Sequence, residues 1–564
     1  MPSYSATIAA IGAFLLSQPV MGSRQGKAPF GWGTQSLAHF GINPDLGLHN
    51  QQNLNSLISH SAMATALETE YATTQIPIDH NNASAGTYQN RFWVSDEFYQ
   101  PGNPIFVYDT GESDGGSIAQ SYLTSTLSFF REFLIEFNAM GIAWEHRYYG
   151  NSTPAPVSYE TPPETWQYLT TKQALADLPY FASNFSREKY PDMDLTPQGT
   201  PWIMVGGSYA GIRAALTRKE YPETIFAAFS SSSPVEAQVN MSAYYDQVYR
   251  GMVASGWTNC SADIHAALEY IDDQLSDEDT ATSVKQLFFG SGAETNSNGD
   301  FTAALTAIYG YFQSYGMAGG IGGLGAFCEY LEIDPKTNGT TGPDGLAPTY
   351  GGQYVAERWA AWPTFLELVN LNMGTNCGPQ DASQPIDCDF SKPYGDPSAI
   401  TWTWQYCSEW GFFQANNDGP HSLASRYQSV EYQQEVCNRQ FPDAVDKGLL
   451  PPSPRADDVN QEFGGWTIRP SNVYFSGGEF DPWRSLSILS TEDFAPQGVE
   501  FTSAIPACGV QTNEDTVFGY VMQNSEHCFD FQATPTVGKL SRGIFTSALL
   551  QWLECFGQNS SQSR

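Results

Sequence analysis

The chain has 564 residues, with 25 Lys and Arg against 60 Asp and Glu, a formal net charge of −35. Charged residues make up only 15% of it, whereas 41% is hydrophobic and 14% aromatic, which excludes an acidic disordered chain and leaves material for a large core. So few basic groups make nucleic acid and anionic membrane poor partners, because both favour a positive protein surface.

In chain order, the apolar run from Ala6 to Leu16 followed by Val20-Met21-Gly22 reads as a secretory signal peptide over residues 1–22. Nine Cys and seven N-x-S/T sequons (Asn82, Asn151, Asn184, Asn240, Asn259, Asn338 and Asn559) agree with export, or with delivery to an acidic vesicle lumen. Residues 23–65, rich in Gly, Ser, Asn and Gln, are expected to be a loosely held leader or processed segment. Beyond them, Thr87 to Trp93 and Pro104 to Tyr108 read as strands, Ile118 to Met140 as an amphipathic helix, and Ile142 to His146 as a strand. A helix from Thr165 to Asn184 and a strand from Trp202 to Val205 continue the alternation, which predicts βαβ units and a parallel sheet. After Ser230–Ser233 the alternation stops, and six of the nine Cys fall in the helical, loop-rich stretch that follows. A strand at Asn472 to Phe475 and a helix from Thr536 to Phe556 close the chain. The predicted organisation is an α/β domain (66–235 and 466–564) interrupted by a mostly helical insertion (236–465).

Val205-Gly206-Gly207-Ser208-Tyr209-Ala210-Gly211, between a predicted strand and a predicted helix, matches a relaxed nucleophile elbow, G-x-S-x-G, with Ala210 at the second Gly position. A tight strand-to-helix turn exposes the hydroxyl and tolerates only small neighbours, and the backbone N–H of Tyr209 would face a developing oxyanion. A hydroxyl needs a base and the base an orienting acid, in the chain order Ser, Asp or Glu, His. His527 is the only His beyond the Glu479-Phe480-Asp481-Pro482-Trp483 loop. In that loop Asp481 has a rival in Glu479, which the pattern alone does not separate from it, while Glu492 and Asp493 lie farther from the strand end.

Gly206–Gly211, Glu145-His146-Arg147-Tyr148-Tyr149-Gly150, Glu479–Trp483, Trp402-Thr403-Trp404-Gln405-Tyr406-Cys407 and the late His527 together resemble the prolyl carboxypeptidase and dipeptidyl peptidase II family of serine peptidases, which includes fungal acid prolyl endoproteases. The resemblance runs from about Tyr71 to Phe556. It implies an α/β-hydrolase fold with a helical cap, Ser208 as nucleophile, His527 as general base, Asp481 as its orienting acid, and a second oxyanion N–H from Gly111 or Glu112. By the same resemblance Trp483, Trp402 and Trp404 are candidates for an aromatic slot that takes a proline ring. The expected activity is hydrolysis of peptide or protein substrates after proline. A general serine carboxypeptidase or esterase on the same fold is the alternative, and an inert binding protein a third reading.

No cofactor or metal is expected: there is no H-E-x-x-H, the Cys spacings are not those of a zinc site, and Gly320–Gly325, although it reads G-x-G-x-x-G, follows a helical stretch. By order along the chain, Cys260 with Cys328, Cys377 with Cys388 and Cys407 with Cys437 are candidate disulfides that the sequence alone does not fix; Cys508 with Cys528 is a further candidate that leaves Cys555 free. The acidic balance predicts best stability and activity at mildly acid pH, against which His527 must be neutral to act as base.

Overall fold

The computed structural model describes residues 34–41, 69–378, 385–533 and 535–557. The expected signal peptide and Asn559 lie outside the described residues.

Among the described residues eleven strands are formed: β1 (Glu70–Pro77), β2 (Thr87–Ser95), β3 (Ile105–Asp109), β4 (Met140–Trp144), β5 (Trp202–Gly207), β6 (Ala227–Ser231), β7 (Gln238–Asn240), β8 (Gly411–Phe413), β9 (Val473–Gly478), β10 (Glu500–Thr502) and β11 (Thr516–Met522). Nine make one sheet in the order β1-β2-β4-β3-β5-β6-β9-β11-β10. The β1–β2 and β2–β4 pairs are antiparallel and the others parallel. Alternation along β5 explains why the sheet is covered twice. Trp202 and Met204 belong to one apolar cluster, whereas Ile203 and Val205 join Phe106, Phe229 and Phe545 in another. Phe545, Ala548, Leu549 and Trp552 put the last helix, Thr536–Leu553, in that second layer.

Between β6 and β9 the described residues form helices joined by loops, with a short parallel β7–β8 ladder. This is an α/β-hydrolase sheet carrying a helical cap. Cys260–Cys328 and Cys407–Cys437 cross-link cap elements, and Cys377–Cys388 closes a cap loop, as expected. Gly320–Gly325 sits between cap helices, not after a strand.

Several expectations are corrected. The single helix predicted over Ile118–Met140 is two, Gly115–Thr124 and Phe129–Glu136, because Ser128 caps the second by accepting from the Arg131 N–H. The helix predicted from Thr165 begins at Thr171, where Thr170 accepts from the Gln173 N–H. Cys508 bonds to Cys555, and Cys528 is the buried free thiol. Cys528 lies beneath the elbow, where a Cβ on Gly207 would come within 2.8 Å of its sulfur. Within the predicted leader, Thr34–His39 is a helix, and Ala38, His39 and Phe40 are buried.

Candidate active site

β5 delivers Ser208 to the rim of the sheet at φ 60° and ψ −132°, immediately before the helix Tyr209–Glu220. Such a conformation costs a non-glycine residue about 1–3 kcal/mol and persists only where the surroundings enforce it. Close packing enforces it here. A Cβ on Gly206 would lie 2.1 Å from the carbonyl oxygen of Ala210, and one on Gly211 would lie 2.1 Å from Ser233 Oγ. The Ser208 N–H donates to the Ser231 carbonyl at 2.9 Å, fixing the turn to β6.

β9 ends in the loop that carries Asp481. Its Oδ1 accepts from the Trp483 N–H at 2.9 Å and from His527 Nδ1 at 2.8 Å, and both partners of the Asp481–His527 pair are fully buried. His527 Nε2 is buried and has no hydrogen-bond partner among the described residues. Ser208 and His527 line one cavity of about 370 Å³ between the sheet rim and the cap. Glu479 accepts instead from the Asn524 N–H at 2.9 Å, and Glu492 pairs with Arg250, so neither competes with Asp481.

A strained serine at a strand-to-helix turn, lining the same cavity as the histidine of a buried Asp–His pair, coincides with a sequence match: residues 76–318 and 368–499 fit the profile of serine carboxypeptidase S28. The chain belongs to that family. It is 27% identical over 445 residues to a "probable extracellular serine carboxypeptidase" of Arthroderma benhamiae, covering 74% of this chain and 59% of that protein. The chain therefore spans less than two thirds of that relative's length. It is 26% identical to the thymus-specific serine protease of Mus musculus, over 86% of this chain and 88% of the other. Among solved structures, a proline iminopeptidase of Mycobacterium smegmatis aligns over 86% of this chain and 100% of its own, with 11% identity and a TM-score of 0.29.

In this S28 chain the Glu145–Gly150 motif links the elbow helix, the helix Thr171–Ala182 and the cap. His146 Nε2 lies 3.1 Å from the Tyr209 hydroxyl, Arg147 Nε donates to Asp177 at 2.8 Å, and the Tyr149 hydroxyl donates to Gln405 of the cap at 2.6 Å. Asp109, at the end of β3, pairs at 2.6 Å with Arg213 on the elbow helix, and both are buried. The same carboxylate accepts the Gly111 N–H at 2.9 Å. That corrects one expectation: the Gly111 N–H is committed to Asp109 and is not free to meet an oxyanion. The Glu112 carboxyl lines the cavity and is pushed up to about 7 by burial, with the Asp109 charge adding to the push.

Of the tryptophans, Trp483 and Trp402 line the cavity with Phe412 and Tyr244. Trp404 does not: it is buried against Trp166 (5.6 Å between ring centroids) and Phe441 (5.2 Å), and is part of the packing beneath the cap. Gln313, which no sequence pattern marks, is a cap residue at the centre of the site. Its carbonyl accepts the His527 N–H at 3.1 Å, and its side chain accepts Trp483 Nε1–H at 2.9 Å. Ser232 Oγ accepts the Cys528 N–H at 2.9 Å from the other side of the loop.

Five of the described sequon asparagines, Asn82, Asn151, Asn184, Asn240 and Asn338, are exposed. Asn259 is buried, and its amide donates to Glu332 at 3.0 Å and Thr341 at 3.1 Å, so the nitrogen that would carry a glycan is engaged inside the cap.

Proposed function

We propose that this S28 chain is a secreted serine peptidase that cleaves peptide bonds after proline through an acyl-enzyme on Ser208. The observation that carries the reading is the buried 2.8 Å hydrogen bond between Asp481 and His527 Nδ1, which leaves Nε2 unpaired in the cavity that Ser208 lines. Ser208 Oγ attacks the scissile carbonyl carbon while its proton passes to His527 Nε2. The oxyanion is met by the Tyr209 N–H at the start of the elbow helix, with the Glu112 N–H as the second donor. Collapse of the tetrahedral intermediate breaks the C–N bond, and the departing amine takes the proton from His527. Water, deprotonated by His527, then hydrolyses the ester and restores Ser208.

Support for proline comes from the flat faces of Trp483, Trp402 and Phe412, which line the cavity and suit a pyrrolidine ring. The disulfides and exposed sequons support export, with glycans on the five exposed asparagines.

A serine-directed phosphonate should label the wild-type protein at Ser208, and Ser208→Ala should lose both label and turnover. Persistent labelling of the variant would sink the assignment. Mass spectrometry of products from peptides with and without proline tests the preference, and equal rates would favour the general carboxypeptidase or esterase.

A further inference from the structure

We propose that residues 34–41 are a working wall of the active site and that Gln35 within them is a positioning residue for His527. This rests on the reading of His527 as general base. The helix Thr34–His39 lies against the cap segment Phe312–Tyr315 and the His527 loop. Gln35 Nε2 donates to the His527 carbonyl at 2.9 Å, and Gln35 Oε1 accepts from Ser314 Oγ at 3.0 Å. One side-chain amide thus ties the backbone of His527 to the cap. The N–H of the same residue is held by the Gln313 carbonyl, so His527 is gripped at both ends of its backbone, and the grip at its carbonyl comes from the predicted leader.

The rest of the segment is seated as core. His39 Nδ1 lies 2.6 Å from the Tyr122 hydroxyl, and its ring meets Phe531 edge-on with 5.5 Å between centroids. Burial, helped by the charge of His527, lowers His39 to about 3, so it adds no second cation beside the base. Phe40 packs on the Tyr122 ring at 5.0 Å. Gln35 and His39 line the cavity, yet about 370 Å³ stays open with the segment in place. The segment walls the site and does not plug it. Its loss would free the His527 carbonyl and expose Tyr122 and Phe531, which follows from the general cost of baring apolar surface and unpairing a buried acceptor.

The test uses the full-length secreted protein. Gln35→Ala should slow phosphonate labelling of Ser208 and lower kcat/KM about tenfold, the weight of one hydrogen bond to a buried partner. It should also displace the acid limb of the pH–rate profile, which a purely structural contact would leave in place. Gln35→Glu should recover the rate only at pH values where its carboxyl is protonated and can donate. Mass spectrometry of the purified active enzyme should find residues 34–41 retained, and this decides the matter even where a variant fails to fold. Wild-type rate and pH profile in Gln35→Ala, or a fully active enzyme lacking residues 34–41, would overturn the proposal. No label on wild-type Ser208 would overturn the catalytic reading beneath it, and the proposal with it.

Discussion

Neither Asp481 nor His527 has any exposure to solvent, so a charge on either alone would be costly. Burial opposes protonation of His527, but Asp481 and Cys528 together outweigh it, and the ring is pushed well above its ordinary 6.5. On the proposed mechanism His527 takes the Ser208 proton only when neutral, so the acid limb of kcat/KM should lie above that value. Asp481→Asn removes the charge, and a pH–rate profile should show the limb moved to lower pH. By the same loss kcat should fall about a thousandfold or more, as when the acid of a serine triad is made neutral. Ser208 stands in an elbow pattern and His527 is the last histidine of the chain, so both were legible in the sequence, whereas Asp481 was set apart from Glu479 only by the family resemblance. Gln313 and Gln35 were not, because a glutamine carries no pattern and both reach the site from segments remote in the chain. Gly111 misled because the sequence does not reveal that Asp109, two residues earlier, claims its N–H.

At the level of elements, the cysteine pairing separates what staples the fold from what positions the base. Cys508–Cys555 ties the loop after β10 to the end of the last helix, across a separation of 47 residues. Loop closure of that size is worth about 4 kcal/mol in the chain-entropy picture. Replacing both cysteines with serine should therefore lower Tm by several degrees in a calorimetric scan while Ser208 still labels normally below the transition. The reason is that the His527 loop is held by Gln313 and Ser232, not by this bridge. The apolar strands β3 and β5 were readable as strands because burial on both faces leaves near-continuous runs of apolar residues. β6 was missed: Ala227-Ala228-Phe229-Ser230-Ser231 has little intrinsic strand preference, and it is a strand because β5 and β9 flank it. The split of Ile118–Met140 was hidden for the opposite reason, since two helices on one layer share a single amphipathic rhythm until a serine cap breaks it.

Across the whole molecule, stability and activity pull apart in pH. Burial pushes Glu332 well above its ordinary value, with the neighbouring Asp263 adding charge repulsion, and pushes Glu526 up to about 8, with Asp481 adding to the push. Each then keeps its proton in the folded chain where the unfolded chain, near 4.5, has released it. Their contribution to stability is complete below about pH 4.5 and is lost as pH rises towards 8, with a slope of about 1.4 kcal/mol per pH unit for each group that remains protonated. Asp177 and Asp300 have the opposite sign: although buried, they are held below 3.8 by Arg147 and Arg439, so their contribution is lost as pH falls through the acid range. The net charge of −35 adds self-repulsion that grows with pH. Tm should therefore peak between about pH 4 and 6, while kcat/KM keeps rising beyond that window as His527 loses its proton. The variant that isolates the effect is Glu332→Gln, which keeps the amide-sized shape but cannot ionise. Its Tm relative to wild type should rise steadily from pH 5 to pH 8, and a constant difference across that range would remove Glu332 from the account.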